Sequence, residues 1–266
     1  MNKGSKNLLL ALLGLLTLPL LQTSGMASEI TIPSQMPDTA SPEILARFSY
    51  TQDGPFSDAS GLPTYQWMPV DKAPEAIIMG IHGLTLHGRR YRVLARTMAL
   101  NGVGFVSMDY NGFGRCRWPE GKNFSTPTED KKKLNHQKSY DSIVLMAKAI
   151  KKQYPDIPLI VLGESLGCTY CVKIAGEQAD LVDGLVLSAP AVKVNPKMYM
   201  SKSDLGAGVA AIVKPHHKVN LHSFLTKLVS NRPAVINEML DDPLIVKELS
   251  LFDLLEVDKF VENTAN

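Results

Sequence analysis

Continuous apolar runs that alternate with helical text constrain this chain more than any other feature. "EAIIMGIHG" (75–83), "VGFVSMDY" (103–110), "IPLIVLG" (157–163) and "DGLVLSAP" (183–190) carry almost no polar residues. Each reads as a strand buried on both faces. Between them lie "RRYRVLARTMALNG" (89–102), "HQKSYDSIVLMAKAIKKQYP" (136–155) and "SLGCTYCVKIAGEQ" (165–178), which have helical periodicity. Buried strands alternating with helices predict a mostly parallel sheet covered by helices on both faces. Upstream, "ILARFSYT" (44–51) and "PTYQWMP" (63–69) alternate apolar and polar residues and predict two antiparallel strands joined through Gly54–Gly61. No internal repeat or low-complexity tract interrupts the pattern.

The third of these strand-to-helix junctions reads "VLGESLG" (161–167), a Gly-x-Ser-x-Gly. Ser165 therefore falls on a sharp turn at the carboxyl edge of the sheet, where such sheets place their ligands. A turn this tight crowds its neighbours, and Gly163 and Gly167 lack the Cβ that would collide. The motif alone is modest evidence, and its position between a buried strand and a helix strengthens it. "IHGLTLHG" (81–88) ends an earlier strand, and its His82-Gly83 turn can aim a backbone N–H into the same crevice. The N–H groups of Leu84 and of Leu166, at the positive end of the new helix, would form a two-donor oxyanion hole.

With these blocks in place, the sequence resembles the α/β-hydrolases, in particular the monoacylglycerol lipase and lysophospholipase-like (serine aminopeptidase-like) branch. The resemblance rests on residues 82–116, on "VLGESLG" and on "LVLSAP" (185–190), and it covers most of the chain from about residue 60. It implies an α/β-hydrolase fold with a helical cap after "LVLSAP", and a serine esterase or lipase with Ser165 as nucleophile, acting on a small-molecule or lipid ester without a cofactor. Residues 193 to about 250 then form the cap. Met198, Met200, Leu205, Val209, Ile212 and Val213 there could line an acyl channel or simply pack. The resemblance also implies two further strands, one delivering a catalytic Asp and the other leading to a catalytic His. After "LVLSAP" no such strand, Gly-x-x-Asp turn or terminal His is legible, and Asp253 and Asp258 fall in a helical pattern. The expectation is a chain truncated before its last two strands, carrying only half its triad and impaired as an enzyme. The alternative is a non-catalytic binding or complex-forming protein. Either way, "GLVLSAP" (184–190) would be an exposed sheet edge through which chains could associate.

The ends and the composition bound the rest. "MNKGSKNLLLALLGLLTLPLLQTSGMASE" (1–29) has two early lysines, an apolar run and small residues at Gly25–Ala27, the anatomy of a secretory signal cleaved after Ala27. The domain reading is signal peptide 1–27, linker 28–43, hydrolase core 44–192, and cap with C-terminal end 193–266. The product would be exported to the periplasm or medium, or else held at the membrane by an uncleaved signal. A formal net charge of +2 excludes the strongly basic surface that nucleic acid attracts. Three cysteines do not make a disulfide framework, and the Cys168/Cys171 pair lies inside a helix, where a redox pair would lose the helix-terminus field. No further ligands are spaced for a metal. His82 is expected to brace its own turn, and Asp109 to support the turn at Gly112 and Gly114. His216, His217 and His222 read as surface residues of the cap. If a base does reach Ser165, His82, His87 and His136 are the first to test.

Overall fold

The computed structural model describes residues 41–117, 129–192 and 218–265. Its centre is a six-stranded sheet: β1 (Phe48–Gln52), β2 (Thr64–Pro69), β3 (Ala76–Ile81), β4 (Val103–Met108), β5 (Leu159–Glu164) and β6 (Gly184–Ser188). The spatial order is β1-β2-β4-β3-β5-β6. β1 and β2, and β2 and β4, run antiparallel, while β4, β3, β5 and β6 run parallel. Every residue of β3 is buried, which is why its text shows no polar alternation.

Helices α1 (Arg92–Leu100), α2 (His136–Gln153) and α3 (Leu166–Glu177) connect the parallel strands. The long helix α2 starts where Asn135 accepts the Lys138 N–H at 2.9 Å, and it buries Ser139, Ile143, Met146 and Ile150 at helical spacing. Ile143, Met146 and Ile150 join Ile77, Met79, Val106, Val161 and Ile174 in one core.

Some sequence expectations shift. β1 begins four residues later than the alternation in 44–51 indicates, because Pro42–Leu45 forms a short helix ahead of it. The joining stretch between β1 and β2 contains a helical turn, Pro55–Ser60, whose Phe56 and Ser60 are buried. Residues 193–217 of the expected cap lie outside the described residues. The described part is not purely helical. β7 (Lys218–Asn220) and β8 (Glu248–Ser250) form a small antiparallel ladder flanking α4 (Pro233–Asp241). Nor is it separate from the core, for Val219, Leu249, Leu254, Val257 and Val261 pack into the main cluster. The last three belong to α5 (Leu251–Ala265) or its approach, and Phe260 on that helix stacks on the His136 ring with centroids 4.5 Å apart.

Among the described residues β6 pairs only with β5, and Leu185 and Leu187 on it are 43% and 40% exposed. No described helix is long and apolar enough to cross a membrane.

Candidate functional site

β5 delivers Ser165 to the carboxyl edge of the sheet, one residue past Glu164 and one before α3. Its backbone sits at φ 51°, ψ −115°, a region that residues with a side chain rarely occupy. Strain of this kind costs on the order of 1–3 kcal/mol and persists only where the surroundings enforce it. Here they do: Ser165 N donates to Ser188 O at 2.9 Å, and its carbonyl accepts from Cys168 N at 3.0 Å and Ala191 N at 3.3 Å. The end of β6 thus holds the turn from one side. From the other, a Cβ on Gly163 would lie 2.6 Å from Cys168 Cα, and one on Gly167 would overlap the Ile81 carbonyl. Strand, turn and helix can approach this closely only with glycine at both places.

The turn at His82–Gly83 is the second element. The turn after β3 runs against the serine, so that a Cβ on Gly83 would be 3.2 Å from Ser165 Cβ. Leu84 follows, its side chain buried, and among the described residues its N–H makes no hydrogen bond. Leu166 opens α3, so its N–H is one of the four that a helix leaves without an internal acceptor. The loop that carries Leu84 and the start of α3 therefore both lie beside Ser165.

His82 serves the turn. Its Nδ1 donates to Gly83 O at 2.9 Å, its carbonyl accepts from the Tyr110 hydroxyl at 3.0 Å, and its ring stacks on Tyr110 with centroids 4.1 Å apart. Burial pushes its pKa down to about 4, with the Asp109 charge and the Gly83 carbonyl opposing, so the imidazole is neutral. Asp109 ties three segments together: its carboxylate accepts from Gly88 N at 2.7 Å, Arg115 N at 2.8 Å and the Tyr65 hydroxyl at 2.9 Å. Arg115 in turn grips Asp53 with two hydrogen bonds of 2.8 Å. Asp109 thus anchors the chain just after Gly114 and also the loop that carries Leu84.

The remaining titratable groups have other partners. His136 Nδ1 lies 2.7 Å from the Tyr170 hydroxyl, and burial lowers its pKa to about 4 despite the charge of Asp253. His87 Nε2 faces Asp242 Oδ2 at 3.0 Å. His222 is exposed, and His216 and His217 lie outside the described residues. Among the described residues, no hydrogen bond joins a histidine to the Ser165 hydroxyl. Asp253 closes a reciprocal cap at the head of α5: Ser250 N donates to its carboxylate and its own N–H donates to Ser250 Oγ, each at 3.1 Å. Cys116, Cys168 and Cys171 are free and buried, and burial raises the pKa of each thiol. Among the described residues no cluster of His, Cys, Asp or Glu could hold a metal ion.

Sequence reasoning missed the partners of the Leu84 loop. His87–Asp242 and Arg90–Glu238 are 155 and 148 residues apart in the chain, and neither spacing leaves a local signal. The one hint is the Asp-Pro turn "DDPL", which reads only as a helix stop.

A mostly parallel sheet with a strained Gly-x-Ser-x-Gly turn at its carboxyl edge defines an α/β-hydrolase. The family model described as Serine aminopeptidase, S33 matches residues 72–265, and the chain belongs to that family. The sequence is similar to monoglyceride lipase of Mus musculus, 26% identical over 215 residues that make up 80% of this chain and 67% of the mouse protein. The human enzyme matches over the same length at the same identity. The chain thus spans about two thirds of the length of the curated relatives it matches. The fold is similar to a monoacylglycerol lipase from Paleococcus ferrophilus, with a TM-score of 0.54, 21% identity, and 76% of this chain and 71% of the other covered. It is also similar to a soluble variant of the Saccharomyces cerevisiae monoglyceride lipase solved with a substrate analog, with a TM-score of 0.56, 19% identity, and 82% and 67% covered.

Proposed function

We propose that the protein is a serine hydrolase of the carboxylic-ester type, with a monoacylglycerol or similar lipid ester as substrate. The observation that carries this reading is Ser165 at φ 51°, held on its turn beside the Gly83–Leu84 loop. In the mechanism, Ser165 Oγ attacks the ester carbonyl. The N–H groups of Leu84 and Leu166 receive the negative charge that develops on the carbonyl oxygen. Such donors act in a dry crevice and need no reorganisation at the moment of reaction, so they favour the transition state over the ground state. The attack also needs a base for the serine proton. No histidine among the described residues is hydrogen-bonded to Ser165, which supports slow turnover as part of this reading. A second reading, a non-catalytic protein that uses the same crevice for binding, draws on the lack of such a base among the described residues. The apolar run with basic residues before it and small residues after it supports export, with the mature chain beginning at Ser28.

Turnover of p-nitrophenyl butyrate, monooleoylglycerol and alanine p-nitroanilide by the chain tests the ester assignment. Slow ester cleavage that is lost in Ser165→Ala, with no anilide cleavage, fits it, and a rate no higher than that of Ser165→Ala favours the binding reading. Faster cleavage of the anilide would move the protein to the peptidase side. Rapid Ser165-dependent ester cleavage would show that a base reaches the serine after all.

A further inference from the structure

The loop that carries Leu84 is gripped from outside the core by residues that play no part in the sheet. His87 Nε2 lies 3.0 Å from Asp242 Oδ2, and the two side chains are only 1% and 2% exposed. Asp242 is itself oriented, because its other carboxylate oxygen accepts the Leu244 N–H at 2.9 Å. One helical turn earlier, Glu238 accepts from Arg90 Nη1 at 2.9 Å. Val246 N donates to Thr85 O at 2.9 Å, and Leu86 packs in a small cluster of its own with Leu225, Met239 and Ile245. The same loop is held from the core side by Asp109 on Gly88 N and by Ser107 Oγ on Gly88 O at 2.9 Å. It is clamped between two walls, and the outer wall is α4 with the turn that follows it.

Thr85 shows what the clamp does. It sits at φ 71°, a left-handed conformation that a β-branched residue adopts only under constraint. Thr85 directly follows Leu84, so relaxation of its backbone would shift the Leu84 Cα and, with it, the Gly83–Leu84 peptide unit whose N–H faces the serine turn. The constraint falls on Thr85 and its neighbours: Val246 holds the Thr85 carbonyl, Leu86 is buried against α4, and His87 is fixed by Asp242. We propose that Asp242, with Glu238 in support, is a positioning residue: through His87 and Arg90 it fixes the Leu84 N–H as an oxyanion donor, so that the seating of α4 sets the reactivity of Ser165. The proposal rests on the hydrolase reading above and adds a control point to it.

The test uses the full chain and two readouts, the rate at which an alkyl fluorophosphonate modifies Ser165 and the amide exchange of residues 83–91 by mass spectrometry. Asp242→Ala is expected to slow modification roughly 10- to 100-fold, the usual consequence of displacing a positioned group by about 1 Å. It should also speed exchange in 83–91 selectively. Asp242→Asn keeps one acceptor oxygen and should fall between Asp242→Ala and wild type. Phe260→Ala, which loosens α5 at a distance from the loop, controls for general destabilisation and should leave the modification rate unchanged. If Asp242→Ala does not fold, Glu238→Gln takes the charge from the more exposed arm and should give the same pattern at smaller size. Wild-type modification rate in folded Asp242→Ala or Glu238→Gln overturns the proposal, as does an equal slowing by Phe260→Ala. If the wild-type serine is not modified at all, the hydrolase reading fails separately. The exchange data then decide the clamp: faster exchange in 83–91 supports it, and unchanged exchange overturns it.

Discussion

The main-chain carbonyl of Ile81, at the end of β3, occupies the space that a side chain on Gly167 would need. The first turn of α3 is therefore pressed against the strand that leads into the Leu84 loop, and one close packing of backbone on backbone sets the two segments proposed to supply the oxyanion donors. Gly167→Ala cannot be absorbed by a side-chain rotation, since the obstruction is main chain. It should destabilise the protein by about 3 kcal/mol or more, read from urea denaturation, and should abolish modification of Ser165. An alanine variant with wild-type stability would mean that the turn is looser than this.

Asp109→Ala removes the acceptor shared by Gly88 N, Arg115 N and the Tyr65 hydroxyl, all of them buried. Taking one partner from a buried charged network leaves the others uncompensated and costs about 3–5 kcal/mol. Denaturation midpoints should show that loss, together with faster amide exchange near Gly88 and Arg115. A loss within about 1 kcal/mol, the range of a single ordinary hydrogen bond, would show that Arg115 and Asp53 suffice without it.

Much of this architecture is legible in the sequence. The four parallel strands follow from runs apolar enough to be buried on both faces, and Ser165 follows from a motif whose strand and helix flanks can be read directly. What is not legible depends on distant pairing. Pro55–Ser60 has a turn-rich composition, and only the burial of Phe56 makes a helical turn worthwhile. The ladder of β7 and β8 is three residues on each side, too short for a periodic signal. The pairing of His87 with Asp242 joins two ordinary-looking residues that become a buried pair only once α4 is seated.

Stability should fall on mild acidification. Burial holds His82 and His136 neutral, each with a pKa of about 4 in place of the ordinary 6.5. Between those values the unfolded chain binds protons that the native chain does not, so the contribution is fully present above pH 6.5 and is lost as pH drops toward 4. Each histidine accounts for up to roughly 3 kcal/mol. Glu164, its pKa raised by burial against the opposing charge of Arg90, works in the other direction near the acid end of that window. Urea denaturation at pH 7 and pH 4.5 should show the difference, and His136→Phe, which keeps a ring against Phe260, should shrink it. Equal stability at the two pH values would contradict the burial of both rings.

β6 offers apolar side chains and one unpaired backbone edge among the described residues, the arrangement that templates strand addition. The chain expressed alone should show a mass by light scattering that rises with concentration, and Leu187→Lys should lower it. A monodisperse monomer with a cooperative thermal transition would show that this edge is covered.

The central claim is that Ser165 is the reactive group. Mass-spectrometric mapping after exposure of the folded chain to an alkyl fluorophosphonate tests it most directly. A slow but single adduct on Ser165, absent from Ser165→Ala, is the expected result; a folded chain with no adduct at Ser165, or with equal modification elsewhere in the Ser165→Ala variant, would overturn the assignment.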